Sequence, residues 1–309
     1  RRGSDMPSTK EIKGRIESVR QTQKITNAMY LISSTKLRRA RADLEHTRPY
    51  FEALQAEIKR IFRTSSDILS RYFYPPHEED IQGGPYACLV ITADKGLAGA
   101  YNQNAVKETM KVLEGHPGCK LFVVGEYGRH YFAQHHVPIE QSFLYTAQNP
   151  TLDRAREISS ILLDGFNQGA WKKLYIVYTD MESSLASAAK STRLLPFHRA
   201  HFASTGEDHS SDTFEFVPDM VTVLDHMVES YVSGFIYSAL IDSFCSEQNA
   251  RMTAMDAANE NAQRLLDELS LQYNRVRQSA ITLEITEVSA GAKAQRHKRE
   301  AAASTRKDV

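Results

Sequence analysis

The sequence predicts an α/β protein in which a long antiparallel coiled coil of N- and C-terminal helices carries an inserted small Rossmann-like α/β domain. Three observations predict it. Apolar and small residues recur in steps of four and three over residues 220–287. The same spacing recurs near the N-terminus. Between the two stretches, short runs rich in Val, Ile and Leu alternate with segments of helix length, which is typical of an α/β domain.

The C-terminal pattern predicts one helix over residues 218–290. No proline interrupts its repeat, and Gly234 is its only glycine between residues 220 and 287. At 1.5 Å per residue this stretch would be about 100 Å long. Such a helix is far longer than those of ordinary globular domains, and its apolar seam needs a partner.

The other end of the chain supplies that partner, because the heptad spacing recurs in a helix predicted over residues 9–66. Ser8 or Thr9 can serve as its N-cap. Pro49 removes one backbone donor and is expected to kink the helix, but the seam resumes beyond it. We therefore predict one long, bent helix.

A second apolar stripe lies beside this seam. The seam is weak between Gln23 and Ser33, and Ile25, Met29 and Ile32 lie one position to the side. A helix with two apolar stripes at one level contacts something besides its coiled-coil mate. We expect these three residues to face a surrounding partner.

The two long segments carry opposite charge. Residues 10–63 contain 13 Lys or Arg and 6 Asp or Glu, a net charge of +7, whereas residues 219–290 contain 4 and 11, a net charge of −7. Each exposed ion pair contributes only ~0.3–0.5 kcal/mol. Charge therefore selects the antiparallel partner, and the buried seams stabilise the pair.

The antiparallel pairing has a predicted register. Both helices join the inserted domain, so the end of the first and the start of the second lie together there. Counting back from that point gives three predicted neighbours: Ile61 with Leu224, Leu37 with Gln248, and Ile12 with Tyr273. The second helix then extends past the first by roughly a dozen residues, about 20 Å.

Residues 67–217 are predicted to form the α/β domain. Strands are expected at 87–92, 120–125 and 174–179, with possible edge strands at 194–197 and 214–217, and helices at 101–114, 127–136 and 152–169. Alternation of strands and helices predicts a parallel sheet. Residues 1–8 are interpreted as a cloning remnant with the first residues of the protein. Residues 291–309 are polar, basic and Ala-rich, and we expect a disordered tail.

Composition excludes several classes of protein. The net formal charge of the 309 residues is zero, which gives no general attraction to nucleic acid or anionic membrane. No apolar run approaches the ~18 residues needed to cross a bilayer. Three cysteines without metal-binding spacing indicate reduced thiols in a cytoplasmic compartment.

Residues 94–100 follow a predicted strand and open a helix, where phosphates bind in many α/β folds. The segment lacks the lysine and hydroxyl residue of a P-loop and the glycine spacing of a dinucleotide site. We interpret it as a structural turn; a protein contact and a nucleotide site are the alternatives. No histidine, cysteine or serine stands in a catalytic or metal-binding pattern, so no catalytic residue, cofactor or metal is predicted.

Four basic residues form a cluster on the first helix: Lys36, Arg38, Arg39 and Arg41. They are either a solvated helix face or a contact with an acidic protein partner or with the helical mate near Glu247. A nucleic-acid contact is disfavoured by the zero net charge and the acidic second helix.

These motifs resemble the F-type ATP synthase gamma subunit, in a bacterial form. The resemblance covers both ends of the chain and the first strand of the domain, and it is weak between residues 126 and 215. The segments that carry it are residues 10–13, 18–29, 36–40, 94–102, 246–247, 251–258, 271–278 and 281–287. Residues 30–35 depart from the Lys- and Ala-richer family pattern, and the chain runs on beyond the usual end of the family.

The resemblance implies a central rotor shaft that couples ion-driven rotation of a membrane ring to ATP synthesis or hydrolysis at sites on the alpha/beta ring. It implies alpha, beta and epsilon subunits and the membrane c-ring as partners, and a peripheral position on the cytoplasmic face of the bacterial cell membrane. Arg277, Gln278 and Thr282 match family positions that contact the beta subunit. Two other classes stay open: a free-standing coiled-coil adaptor, with or without nucleic-acid binding, and a nucleotide-dependent enzyme.

Overall fold

The computed structural model describes residues 8–64, 69–74, 83–144, 147–181, 187–198 and 216–304. For residues 63–64 and 297–304 it describes the backbone alone. The chain divides into two compact units, Arg1–Met29 with Met255–Val309 and Tyr30–Ala254. We call the first the paired-helix unit and the second the α/β unit. The predicted cloning remnant falls almost entirely outside the described residues. The predicted domain boundaries at residues 66/67 and 217/218 stay a prediction.

Five helices and five strands occur in the described part of the chain. In chain order they are α1 (Thr9–Thr64), β1 (Tyr86–Ile91), α2 (Tyr101–Gly115), β2 (Lys120–Val124), α3 (Glu126–Gln134), β3 (Ile139–Phe143), α4 (Leu152–Asn167), β4 (Lys173–Met181), β5 (Ser187–Leu195) and α5 (Met220–Ser304).

The start of α1 is capped by its own side chains. The Glu11 amide donates to the Ser8 hydroxyl at 3.3 Å, and the Ser8 amide donates to the Glu11 carboxylate at 2.9 Å. This reciprocal pair satisfies two backbone donors that a helix leaves unpaired at its first turn. The sequence had predicted the cap at Ser8 or Thr9, and the structure selects Ser8.

In the paired-helix unit α1 and α5 run antiparallel. The Thr26 hydroxyl donates to the Asn259 side-chain oxygen, and the Gln23 amide donates to Gln263 at 3.4 Å. Thr26 and Asn259 each lie fourteen residues from the predicted neighbours Ile12 and Tyr273, so they share that register. Ile12 itself is fully buried, which confirms that it belongs to the seam.

The α/β unit preserves the same register. Gly234 on α5 faces the ring of Phe51 on α1 so closely that a Cβ would lie 2.0 Å from it. Each of these two residues lies fourteen positions from Leu37 or Gln248, the pair predicted from the sequence. The helix α1 continues through Pro49, as expected.

The sheet has the strand order β3-β2-β1-β4-β5. Its first four strands are parallel, whereas β5 pairs antiparallel with β4. The expectation of a parallel sheet is therefore corrected to a mixed one, because β4 and β5 are joined by a short connection that permits only antiparallel pairing. The expected edge strand at 194–197 is only the end of the longer β5.

Two other strand assignments also change. The sequence missed β3, whose residues Ile139–Phe143 include Glu140, Gln141 and Ser142 and therefore lack an apolar run. The expected strand at 214–217 is wrong for residues 216–217, which are not in a strand. Residues 214–215 lie outside the described residues. The three other predicted strands and the three predicted helices are confirmed within about two residues at each end.

The two faces of the sheet are covered differently. Apolar residues of α2 and α3, including Val106 and Phe132, pack on one face. Residues of α4 and the two long helices pack in the cluster on the other face. There α5 is buried around most of its circumference, with Ile236, Tyr237 and Leu240 all at most 5% exposed. The predicted one-sided seam is therefore only part of what α5 buries in this unit.

The expected disordered tail is also corrected. The helix α5 continues to Ser304, and only residues 305–309 lie outside the described range. Apart from Gly291, residues 290–303 are mostly Ala, Lys, Arg, Gln and Glu, which have high helix propensity. The polar composition that suggested disorder is equally compatible with an exposed helix.

Candidate functional site

The segment at residues 94–100 is a turn in which several polar groups bond to the protein itself, although the buried Oδ2 atom of Asp94 has no hydrogen-bond partner among the described residues. The Asp94 carboxylate accepts a hydrogen bond from the Glu126 amide at 2.9 Å, at the first turn of α3. Leu97 and Gly99 have positive φ angles of 62° and 54°. Ala98 is buried, while Leu97 is 65% exposed. This geometry supports the interpretation of residues 94–100 as a structural turn.

The side chain of Arg251 on α5 forms hydrogen bonds with the backbone of this turn. Its guanidinium donates to the Gly96 carbonyl at 3.1 Å and to the Lys95 carbonyl at 3.4 Å. The same Nη2 atom lies 2.6 Å from a Glu247 carboxylate oxygen, and the two side chains are only 9% and 8% exposed. Burial raises the pKa of Glu247, while the Arg251 and Lys36 charges oppose that rise. No sequence signal links Arg251 to carbonyl groups some 155 positions away.

The basic cluster lies on an exposed part of α1. All four of its members are exposed. The Arg41 guanidinium donates to the Met181 sulfur at 3.1 Å, and the Lys36 charge acts on Glu247. One of the two predicted partners, the helical mate near Glu247, is thus within electrostatic reach of Lys36. The acidic partner on another protein stays a prediction.

The predicted second stripe of α1 is left largely uncovered by the described residues. Ile25 is 61% exposed and Ile32 is 56% exposed, while Met29 is half-buried. The neighbouring Leu31, which the sequence had not singled out, is 58% exposed. Their exposure leaves these residues accessible, and the expectation that they face a surrounding partner stays a prediction.

The end of α5 presents a second uncovered apolar surface. Every residue from 277 to 296 is exposed. The apolar residues on it are Ile281, Leu283, Ile285 and Val288. Arg277, Gln278 and Thr282 lie on the same exposed segment, where the Thr282 hydroxyl donates only to the Gln278 carbonyl, at 2.9 Å. The guanidinium and amide groups of Arg277 and Gln278 are accessible to a partner.

Metal and thiol chemistry find little support in the described residues. No group of three or more His, Cys, Asp or Glu side chains there could hold a metal ion. Cys88, Cys119 and Cys245 are free thiols. Burial raises the pKa of Cys119 to about 11 and that of Cys245 to about 12, which keeps both protonated and unreactive. Among the described helices, none is both long and apolar enough to span a bilayer.

Known proteins match this chain over most of its length. Residues 8–295 match the family described as ATP synthase. The ATP synthase gamma chain of Ruminiclostridium cellulolyticum is 40% identical over 292 residues, covering 92% of this chain and 98% of that one. The sodium ion specific ATP synthase gamma chain of Acetobacterium woodii is 35% identical, covering 93% and 98%.

Solved structures share the fold. A chain of the Euglena gracilis mitochondrial ATP synthase, solved as OSCP/F1/c-ring, aligns with a TM-score of 0.64 at 15% identity, covering 93% of this chain and 94% of that one. A chain of the Tetrahymena thermophila central stalk/c-ring structure aligns with a TM-score of 0.58 at 23% identity, covering 76% and 99%. Sequence identity over nearly the full length and the shared arrangement of helices and sheet lead to one conclusion: the chain belongs to the ATP synthase gamma chain family.

Proposed function

We propose that this chain is the central rotor shaft of an F-type ATP synthase, which couples ion-driven rotation of a membrane ring to ATP synthesis or hydrolysis on an alpha/beta ring. The observation that carries the proposal is the uncovered end of α5. Its apolar residues lie on two adjoining stripes with no cover from the described part of the chain. A helix that is apolar over so wide an arc is buried in its working state, and here only another protein can bury it.

The register gives the length of this free end. Continuing the pairing of Thr26 with Asn259 places Thr9, the first residue of α1, opposite Val276. The helix α5 then continues without a mate to Ser304. At 1.5 Å per residue this free end is about 40 Å long, roughly twice the length expected from the sequence. A segment of that length can enter a surrounding ring as a shaft.

Arg277, Gln278 and Thr282 are proposed to contact the beta subunit. The planar guanidinium of Arg277 offers a fork of donors that suits a carboxylate. Gln278 can donate or accept beside it. Both side chains are exposed and hold positions on the free end, so they can reach a partner without any change in the helix.

The first helix is proposed to contact the same ring through a different set of residues. Ile25, Met29 and Ile32 provide an apolar stripe, and the basic cluster at residues 36–41 provides positive charge for an acidic partner. The α/β unit is proposed to carry the contacts with epsilon and the membrane c-ring. We propose accordingly that the chain is peripheral to the membrane, on the cytoplasmic face of the bacterial cell.

The chain itself is proposed to be non-catalytic and to bind no cofactor. The turn at residues 94–100 supports this, because its carbonyls accept from Arg251 and its Asp94 carboxylate accepts from a backbone amide. The two carbonyls and the Oδ1 atom of Asp94 are therefore already occupied by partners within the protein. A titration of the isolated chain with Mg-ATP should therefore show no binding, and micromolar affinity at this turn would contradict the assignment.

The rotor proposal is tested by reconstitution. The chain is co-expressed with the alpha and beta subunits of its own organism, and rotation of a bead attached to the α/β unit is recorded during ATP hydrolysis. We expect ATP-dependent rotation in one direction. In the complete synthase, a variant shortened after Val276 should pump fewer ions per ATP, while its remaining helices stay folded. A chain that does not assemble with the ring, or pumping that is unchanged without the whole free end, would refute the proposal.

A further inference from the structure

Arg251 and Glu247 form a buried ion pair that stability alone does not explain. Their side chains are 9% and 8% exposed, whereas those of the ion pair Arg129 and Glu126 on α3 are 37% and 34% exposed. Taking two charges out of water costs about as much as their attraction returns, so a buried pair contributes little net stability. In some proteins such a pair instead fixes one arrangement of the groups around it.

The arrangement fixed here is the turn at residues 94–100. The carbonyls of Lys95 and Gly96, which accept from Arg251, directly precede Leu97. Leu97 adopts the left-handed region at φ 62°, which is unfavourable for a residue with a branched side chain. Such a conformation persists only where the surroundings impose it. The guanidinium supplies that constraint from the side of α5.

The same turn is joined to the sheet and to α3. It follows β1 directly, and its Asp94 carboxylate accepts from the Glu126 amide at 2.9 Å. Ala93, Ala98 and Tyr101 form a small buried cluster against Ala250 of α5. Arg251 therefore connects α5 with β1, the start of α2 and the start of α3 through a single turn.

The position of this connection along α5 is mechanically important. The chain enters α5 at Met220, and Arg251 lies 31 residues further on, about 45 Å at the rise of an α-helix. Packing of buried apolar residues joins α5 to the sheet as far as Cys245. The Ser243 and Ser246 hydroxyls bond to the backbone of Thr179 on β4. Arg251 lies further along α5 than these contacts. Its hydrogen bonds are charge-assisted and join α5 to the turn after β1, so they oppose twisting of α5 relative to the sheet at that level.

We propose that Arg251 is a positioning residue that fastens the turn at residues 94–100 to α5, so that the sheet and α5 rotate as one body. This inference rests on the proposed rotor function. Torque that enters through the α/β unit then reaches α5 at Arg251 as well as through the contacts that precede it along the helix. Without the Arg251 contacts, ATP hydrolysis on the ring continues, but part of each rotation twists α5 relative to the sheet and is not transmitted.

The main test variant is Arg251→Lys. All three contacts are made by the Nη2 atom of Arg251, and a lysine keeps the charge beside Glu247 but has a shorter side chain, which does not carry its nitrogen as far as Nη2 toward the two carbonyls. The matched control is Arg264→Lys on the same helix, where the arginine is exposed and bonds to Asn261 one turn before it. If Arg251→Lys does not fold, the double variant Glu247→Gln with Arg251→Gln removes both buried charges together and replaces it.

The first measurement is hydrogen exchange on the full chain. The amides of Tyr101 and Glu126 bond to the Ala98 carbonyl and the Asp94 carboxylate, so they report on the turn. Their exchange is expected to rise about tenfold or more in Arg251→Lys, because charge-assisted hydrogen bonds to the turn are lost. Arg264→Lys should leave both amides unchanged. Unchanged exchange in Arg251→Lys would overturn the fastening.

The second measurement is the ratio of ions pumped to ATP hydrolysed in the complete synthase. Arg251→Lys should keep the hydrolysis rate within about twofold and lower the ratio by at least half, and Arg264→Lys should change neither. A purely structural role would lower hydrolysis and pumping together through poor assembly, which would refute torque transmission. Faster exchange with an unchanged ratio would refute it too. If the unaltered synthase shows no coupled pumping, the rotor proposal itself fails.

Discussion

The replacement Gly234→Ala tests the register of α1 and α5 through the sign of its effect. In the middle of an ordinary helix this change stabilises a protein by about 1 kcal/mol, because alanine has the higher helix propensity. Here the new Cβ would lie 2.0 Å from two ring carbons of Phe51. Carbon atoms pack at about 3.5 Å or more, so the ring or the helix must move by about 1.5 Å.

Overpacking of this kind costs about 1–3 kcal/mol. After the gain in propensity of about 1 kcal/mol is subtracted, Gly234→Ala should lower the free energy of unfolding by up to about 2 kcal/mol, and it should not raise it. The measurement is urea unfolding of the full chain followed by helical circular dichroism. Shortening the ring partner, as in Phe51→Leu, should relieve most of the loss when combined with Gly234→Ala, since the two changes act on one contact.

Two other helical glycines provide matched controls. A Cβ at Gly14 on α1 or at Gly291 on α5 would meet nothing within 4 Å. Gly14→Ala and Gly291→Ala should therefore stabilise their helices by up to about 1 kcal/mol. If Gly234→Ala stabilises the chain as these controls do, the close approach of Phe51 is absent and the register assigned to the α/β unit is wrong.

Three further predictions concern individual side chains, two of them changed together in the last case. Ile58→Ala should lower the free energy of unfolding by about 2–5 kcal/mol because Ile58 is fully buried, while Ile25→Ala at an exposed site should change it by less than about 0.5 kcal/mol in the same urea assay. Burial, reinforced by the Asp180 charge, raises the pKa of Asp242 to about 6. Between about pH 4 and pH 6 the folded chain therefore keeps a proton on Asp242 that the unfolded chain has released. The free energy of unfolding falls as the pH rises through that window. Asp242→Asn should therefore raise the free energy of unfolding at pH 8 by on the order of 2 kcal/mol and leave it unchanged at pH 3; an equal effect at both pH values would contradict this. Finally, Arg277→Ala with Gln278→Ala should keep the helix content and lower ATP-driven ion pumping; unchanged pumping, or a loss of helix content, would refute the roles given to both residues.

The two long helices and their pairing were predictable from residue patterns alone. A heptad pattern held over so many residues needs a mate along its seam. The inserted domain joins the end of the first helix to the start of the second, which favours the antiparallel orientation and gives the register. The pairs Thr26–Asn259 and Phe51–Gly234 follow that register. The strands β1, β2 and β4 were equally predictable, because buried parallel strands are continuous apolar runs.

Elements with weak local signals were decided by the tertiary structure. The strand β3 is short and partly polar, and it forms because β2 offers it an open edge. The strand β5 extends much further than its apolar end suggests, because pairing with β4 satisfies its backbone along eight residue pairs. The tail to Ser304 is helical through propensity and continuity with α5, although its composition is that of a polar terminus.

The candidate site divides in the same way. The exposed stripe at Ile25 and Ile32 and the apolar free end of α5 could be inferred from the sequence, because helical periodicity shows which residues share a face. The fastening by Arg251 could not. Its acceptors are backbone carbonyls, which every residue has, and they are brought within 3.1–3.4 Å only when the sheet docks on α5. Periodic patterns encode which side of a helix is buried, whereas the partner of a buried polar group depends on which distant segment of backbone the fold brings beside it.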